Sequence, residues 1–482
     1  MTKPASQITS PFPTASAADW RALVEKTLKD APFESLLRET PEGLPIAPLY
    51  ESGALAPSIT PRPFDAERPW DLRVATRHPD PAGARAELLV DLDGAAASVL
   101  VRIDPTGETG VAIGSPEALA ATLDGVFVEL APIALDAGFL GPRAADWLSA
   151  FAKSAPNALL HFHMDPLSAF AEAGVSPGPV ESHLVSAATV GARLADLYPK
   201  ATLFLASGRV VHEAGGGEAG ELAFALAAAV AYAKAQVVAG ASMVDAFSRI
   251  VLGLAADTDY FLTISKLRAA RLLWAQVTQA CGVEAPARIE ARSSHRMLAA
   301  QDAWTNMLRL TSAAFGAAVG GADAVQIGAF TDPLGPPTTF ARRQSRNAQL
   351  VLMEEAHLGR VADPAAGSGY VEALTDEMAR AAWAEFQAIE AKGGLIEALA
   401  CGFIAAEVAK VTAARDAAGK PRIVGVTAFP PTQQAPVEVL SVRPKPVEAP
   451  SPRLPGPDGH CPPLRPIRLA EPFEAATQEA KP

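Results

Sequence analysis

Few groups of residues in this 482-residue chain have the types and spacing that chemistry needs. His161-x-His163-x-Asp165 offers three metal-ligand types at alternate positions, which share a face in an extended strand. Only these three are local, and no Cys/His cluster elsewhere supplies further ligands, so packing at a strand end is the simpler reading. Asp363-Pro364-Ala365-Ala366-Gly367-Ser368-Gly369-Tyr370 is a glycine turn that would let the backbone approach a cofactor. Such turns also join strand to helix with no ligand. Arg268 and Arg271, three apart on a helical pattern, could meet ligand phosphates, although salt bridges are the usual fate of such arginines. Trp20, Trp70, Trp274 and Trp304 read as core or interface aromatics.

Composition narrows the classes. The chain is 49% hydrophobic, with a net charge of −12 and no basic block, which argues against nucleic acid and anionic membrane surfaces as partners. Cys281, Cys401 and Cys461 are odd in number and far apart, so neither a disulfide framework nor a zinc ribbon can be built. The first twenty residues lack an apolar signal core. The Ala-rich run 222–238 carries Lys234 and reads as a buried helix, not a membrane span. These features predict a cytoplasmic protein.

The elements that must position these residues alternate. Strands are expected at 72–76, 87–92, 99–103, 126–130, 158–162, 202–206, 289–292, 324–328 and 423–427. Helices are expected at 181–197, 218–239, 242–254, 257–281, 302–318, 340–355 and 371–390. The segment 345–394 reads as helix, strand, glycine turn, helix. Repeated strand-then-helix order means parallel strands, and about eight units predict an α/β fold of the (β/α)8 TIM-barrel type. Ser16 is the expected cap of a first helix, with apolar positions at Trp20, Leu23, Val24 and Leu28. Pro41, Pro45 and Pro48 make the next segment extended. It must lie on its own barrel or on another subunit. Beyond Phe429 roughly a quarter of the residues are proline and periodicity is lost. The division expected is therefore residues 1–67 as helix and extended subunit-contact arm, 68–443 as barrel and 444–482 as a disordered tail.

Several ordered segments go beyond pattern. They include Glu42-Gly43-Leu44-Pro45-Ile46-Ala47-Pro48-Leu49-Tyr50, Arg68-Pro69-Trp70, Ser207-Gly208 before His212-Glu213-Ala214-Gly215, and Asp259-Tyr260-Phe261. Lys266-Leu267-Arg268-Ala269-Ala270-Arg271, Gln301-Asp302, Arg346-Asn347-x-Gln349, Val361-Ala362-Asp363-Pro364 and Ile389-Glu390-Ala391-Lys392-Gly393-Gly394 continue the series. Together they resemble the barrel domain of the methylmalonyl-CoA mutase family, adenosylcobalamin-dependent acyl-CoA isomerases, over roughly residues 19–443. The glycine turn alone also resembles that of S-adenosylmethionine-dependent DNA methyltransferases, but no Asn-Pro-Pro-Tyr motif follows it.

What the resemblance implies depends on the departures. Catalytic barrels of the family carry a histidine in a Ser-Gly-Tyr-His turn; here Val210 stands in its place, and valine can neither donate a hydrogen bond nor carry a proton. His212, two residues on, is the candidate substitute, expected on the same strand face about 6–7 Å away. The family's Cys-Gln-Thr-Ser segment becomes Ala291-Arg292-Ser293-Ser294, and the preceding histidine position holds Glu290. No tyrosine lies in residues 51–67 to supply an aromatic hydroxyl, and no arginine in 181–199 matches the family's carboxylate-binding one. The cobalt-ligating Asp-x-His-x-x-Gly has its nearest match in Asp458-Gly459-His460-Cys461-Pro462-Pro463, within the proline-rich tail. The resemblance therefore implies a small, non-catalytic subunit with no catalytic residue of its own, Arg268 being its one candidate substrate contact. A catalytic large subunit would hold adenosylcobalamin and bring acyl-CoA to the complex; this chain alone would bind no cofactor or metal. The alternatives are an active acyl-CoA mutase barrel served by a separate cobalamin-binding polypeptide, and a methyltransferase.

Overall fold

The structure, a computed structural model, describes residues 15–51, 59–65 and 67–474. Eight parallel strands close into a barrel: β1 (Asp71–Thr76), β2 (Ser98–Arg102), β3 (Ile133–Asp136), β4 (Leu160–Met164), β5 (Thr202–Ser207), β6 (Ile250–Ala256), β7 (Ile289–Ser293) and β8 (Ala324–Gln326). Each pairs with its chain neighbour, and β8 returns to β1 through Val325 opposite Leu72. This is the expected TIM-type α/β barrel.

Individual elements differ for local reasons. Residues 87–92, expected as a strand, belong to helix α2 (Pro81–Asp93), which Asp80 caps by accepting the Gly83 N–H at 3.0 Å, with Pro81 preset for the first turn. The strand expected at 126–130 is a turn, and β3 follows it. The expected helix 242–254 is a short helix, Met243–Ser248, followed by β6. All seven β6 residues are buried, and a strand covered on both faces loses the alternation that identifies strands. Residues 423–427 form a tight turn, and residues 361–363 lie in turns rather than a strand.

The outer layer includes α8 (Glu218–Val238), α10 (Tyr260–Ala280), α11 (Asn306–Val319), α12 (Thr339–Leu350), α13 (Gly369–Ala391) and α15 (Phe403–Ala417). By length and hydropathy α8 passes for a membrane span, but 67% of that window is buried against its neighbours. Its run of small side chains lets α10 and α13 approach closely.

The N-terminal segment divides into two parts. Helix α1 (Ala17–Leu28) has the expected capping box, Ser16 accepting from Asp19 N, yet none of its residues is buried. Residues 38–46 form a short hairpin that packs on the chain's own barrel: Leu44 is buried, and the Glu42 carboxylate caps α8, accepting from Glu218 N at 2.5 Å and Ala219 N at 2.8 Å. The approach is so close that a side chain on Gly217 would strike Glu42. The chain continues to Tyr50, beside Tyr370, and to Glu51, whose carbonyl lies where a Cβ on Gly369 would fall. Residues 40–51 of the expected subunit-contact arm thus lie on this chain's barrel. Much of the tyrosine-free stretch 51–67 (residues 52–58 and 66) lies outside the described residues.

Residues 444–474 correct the expectation of a disordered tail. They form an extended strap along the loops at the C-terminal ends of the strands. Leu440 N bonds Pro336 O after β8, Val447 N bonds Pro105 O after β2, and Gly459–His460 pairs antiparallel with Val175–Ser176 after β4. Ile467 N then bonds Glu213 O after β5, and Glu474 accepts from Ala300 N at 2.6 Å beyond β7. Cys461, Leu464 and Ala470 are buried. Prolines prevent regular structure but lower the entropy lost when a chain is held extended, and partner carbonyls here come from the barrel.

A disordered tail and a docked strap respond differently to protease. Trypsin should cut native protein slowly after Arg453 and Arg468, whose following residues bond the barrel, at a rate that follows global unfolding as urea is added. Mass spectrometry of the time course checks this; immediate cleavage there would contradict the docked strap.

Candidate functional site

TIM-barrel chemistry sits at the C-terminal ends of the strands. In this chain ion pairs run along the bore, from Asp71 and Ser98 at the starts of their strands to Asp136 and Arg209 at the C-terminal end. Glu290 on β7 is fully buried and accepts from Arg73 Nη1 on β1 at 2.5 Å, Arg292 Nε at 2.7 Å and Arg209 Nη1 at 3.3 Å. Arg73 also donates to Ser98 Oγ at 2.9 Å and Asp71 Oδ2 at 2.7 Å. Arg292 reaches across the bore, its Nη1 lying 2.9 Å from Asp136 Oδ2 on β3, the strand diametrically opposite β7. Burial alone would raise the Glu290 pKa, but Arg292, Arg73 and Arg209 hold it well below the usual carboxylate range. Asp136 is likewise depressed: Arg102, Arg292 and Arg209 outweigh its burial.

Among the described residues the histidines beside this network are not brought together with Asp165 as a ligand cluster. At His163 the backbone takes φ +47° and the β4–β5 register shifts, so the expected alternation fails there. His161 Nδ1 lies 2.8 Å from Thr202 Oγ1, and Asp165 accepts from Tyr232 Oη at 2.5 Å while capping the next helix. His163 is buried, 3.9 Å from Glu290, and burial together with the arginines pushes its pKa down to about 3, so the ring is neutral.

Residues 209–213 are helical, which turns Val210 and His212 about 200° apart around the helix axis rather than placing them on one strand face. Val210 is buried. His212 is fully buried in a second network. Its Nε2 lies 3.0 Å from Ser294 Oγ and 3.1 Å from Asp257 Oδ2, and its Nδ1 is 3.4 Å from both Glu218 and Glu221. Burial and Arg296 push its pKa down, yet Glu218 and the hydrogen bond with Asp257 raise it to about 10, making it an imidazolium at neutral pH. His212, Glu218 and Glu221 have the spacing of a metal site. Lys266 already supplies the cation, bonding Glu218 and, at 2.6 Å, Glu221. His212, the candidate substitute for the missing histidine, is thus a charged group enclosed by Glu218, Glu221 and Asp257.

Arg268 is also engaged, buried and paired with Asp363 and, at 2.6 Å, Glu372; Arg271 binds Ala287 O, Gly321 O and Asp323. Neither guanidinium is free for a ligand phosphate. The Gly367–Gly369 turn follows no strand, and Gly367 N bonds the Glu372 carboxylate. Asp458 accepts from Gly178 N at 3.0 Å and pairs with Arg453, while His460 lies within the strap strand, so these residues do not fit a cobalt-ligating loop. Sequence reasoning missed Arg73, Arg209, Lys266 and Glu42. Glu218 and Glu221, three apart on an otherwise apolar helix, were the signal for a buried cation.

The class defined by fold and site is a TIM barrel whose mouth is bridged by buried ion pairs. Residues 95–452 match the methylmalonyl-CoA mutase family. The chain is 37% identical over 457 residues to a methylmalonyl-CoA mutase small subunit of Streptomyces virginiae, covering 89% of this chain and 72% of that protein. A small subunit from Propionibacterium freudenreichii subsp. shermanii is 34% identical, covering 80% and 64%. A probable small subunit from Mycobacterium bovis is 40% identical, covering 72% and 57%. This chain belongs to the methylmalonyl-CoA mutase family, with small subunits among its relatives. It spans 57–72% of the length of these three.

Two variants test the networks. Glu290→Gln leaves three guanidiniums short of a counter-charge and should cost about 3–5 kcal/mol in urea unfolding. Because Glu290 is depressed, its stabilisation is present above its unfolded pKa and lost as pH falls, so the variant should flatten the acid limb of the stability curve. For His212, raised from 6.5 to about 10, stabilisation is full below pH 6.5 and lost as pH rises through 10. His212→Ala should flatten that alkaline decline. Unaltered limbs would show that neither network carries charge.

Proposed function

We propose that this chain is the small, non-catalytic subunit of a heterodimeric, adenosylcobalamin-dependent methylmalonyl-CoA mutase. The observation that carries the reading is the fate of two positions where catalytic barrels keep a histidine and a glutamine. Here they hold Glu290 and Arg292, which bind each other and, through Asp136, tie opposite sides of the barrel together. A substrate thioester would need a hydrogen-bond donor near Val210, and space; valine supplies no donor, and the ion pairs occupy the centre.

In this reading the complex interconverts methylmalonyl-CoA and succinyl-CoA. The large subunit holds adenosylcobalamin, which supplies the radical chemistry when bound. This chain contributes a pseudo-symmetric barrel and an interface, to which α1, with no residue buried on its own barrel, is suited. Such a complex operates in the cytoplasm, as the composition suggests.

Co-expressed with a large mutase subunit, the chain should co-purify in equal amounts and be required for full activity. His212→Ala should leave the activity of the folded complex within about twofold. Val210→His should restore no activity to the isolated chain. The isolated chain, incubated with adenosylcobalamin and desalted, should show no corrin absorbance. Stoichiometric retention, or a roughly hundredfold loss in folded His212→Ala complex, would refute the reading.

A further inference from the structure

A cleft of about 650 Å³ opens between the N-terminal hairpin, the glycine-rich start of α8, and helices α13 and α15. Its volume is in the range of ligand and side-chain pockets. Val211, Ile389, Phe403, Ile404, Val408 and Val411 give it an apolar wall. Glu42 enters from the hairpin and Glu385 from α13. Among the described residues Glu385 has neither a hydrogen bond nor an ion pair. Its Oε2 lies 3.2 Å from where a Cβ on Gly220 would stand, against the backbone of α8.

The cations nearby are engaged elsewhere. Lys410 Nζ is 2.6 Å from Glu407, and Arg415 donates to Gly215 O at 3.1 Å. Several buried carboxylates elsewhere meet cations: Asp91 with Arg342 and Arg346, Glu221 with Lys266, Glu290 with its arginines. Among the described residues, Glu385 in the cleft has no such partner. Burial and Glu218 push the Glu42 pKa up to about 7, and burial followed by Glu42 and Glu407 pushes Glu385 to about 7. Two carboxylates lining one cleft beside an apolar wall are short of one cation. At the rim the hairpin residues Glu39 and Pro41 are exposed, as is Leu37 just before them.

We infer that this cleft receives a basic side chain on an apolar segment of the partner subunit, its cation seated between Glu42 and Glu385. The inference rests on the heterodimer reading and deepens it. The partner inserts between hairpin and barrel and supplies the charge that the pair lacks, so assembly fixes the hairpin on α8. Complementary charge of this kind sets register and partner choice.

Hexylguanidinium is the probe, with hexanol as its uncharged counterpart, added to the full chain carrying carboxyl-¹³C glutamate. Hexylguanidinium should bind saturably, at least about tenfold more tightly than hexanol, and lower the titration midpoints of both Glu42 and Glu385. Glu385→Gln should fold, since it removes an uncompensated charge, lose the preference for guanidinium, and weaken association with the large subunit at least about tenfold. Equal binding of hexanol overturns the inference. So does a Glu385→Gln chain that associates as tightly as wild type, even if the guanidinium binds, because the occupant is then a free amine-type ligand. A wild-type chain that associates with the large subunit yet ignores the guanidinium overturns this inference alone. One that does not associate overturns the heterodimer reading with it.

Discussion

A carboxylate buried among three guanidiniums is stable only as a complete set, because each charge removed from water must find its counter-charge within hydrogen-bond reach. Glu290 sets that condition for the barrel. Its partners come from β1, β7 and the turn after β5, and Arg292 carries the network on to β3. The strands are therefore fixed by backbone ladders around the wall and by charge across the middle. The same side chains take up the centre of the barrel, so structural support and the filling of the bore have one cause.

The second network follows the same rule at the outer edge of the barrel. His212, Lys266 and Arg296 answer Glu218, Glu221 and Asp257, and Ala255 N donates to Glu221 at 2.5 Å, tying α8 to β6. Glu42 is the link from this network to the N-terminal hairpin. Its carboxylate completes the start of α8, where backbone N–H groups have no partner within the helix, and the helix dipole favours a negative group there. Glu218 opposes it at close range, which is why this docking is sensitive to whatever charge lies beside it.

The barrel was legible because strand-helix alternation repeats, and long helices such as α8, α10 and α13 keep their period over twenty residues or more. The all-buried β6 was not, since Ile250–Ala256 presents no polar face. The residue types at Val210, Glu290 and Arg292 could be read directly as candidate departures. The contacts they make could not. Arg73 and Glu290 are 217 residues apart, and nothing local in a strand says which inward charge will meet which. The strap failed for a related reason: composition reports only that a segment makes no regular structure, and its order comes from carbonyls and pockets elsewhere on the chain.

That strap imposes an order on folding. Its contacts join loops after β2, β4, β5 and β7, segments as much as 342 residues away in sequence, as with Val447 to Pro105. Each needs the barrel closed before it can form. A ribosome releases this stretch after the strands it binds, so the docked strap reports that the wall behind it has been completed. Long-range closure of this kind slows folding, because loop entropy is lost before the contacts are gained. Such contacts, formed after the barrel closes and so absent from an earlier transition state, act on the unfolding rate more than on the folding rate. The proline-rich segment thus becomes a kinetic fastener, closing last and holding the finished barrel shut.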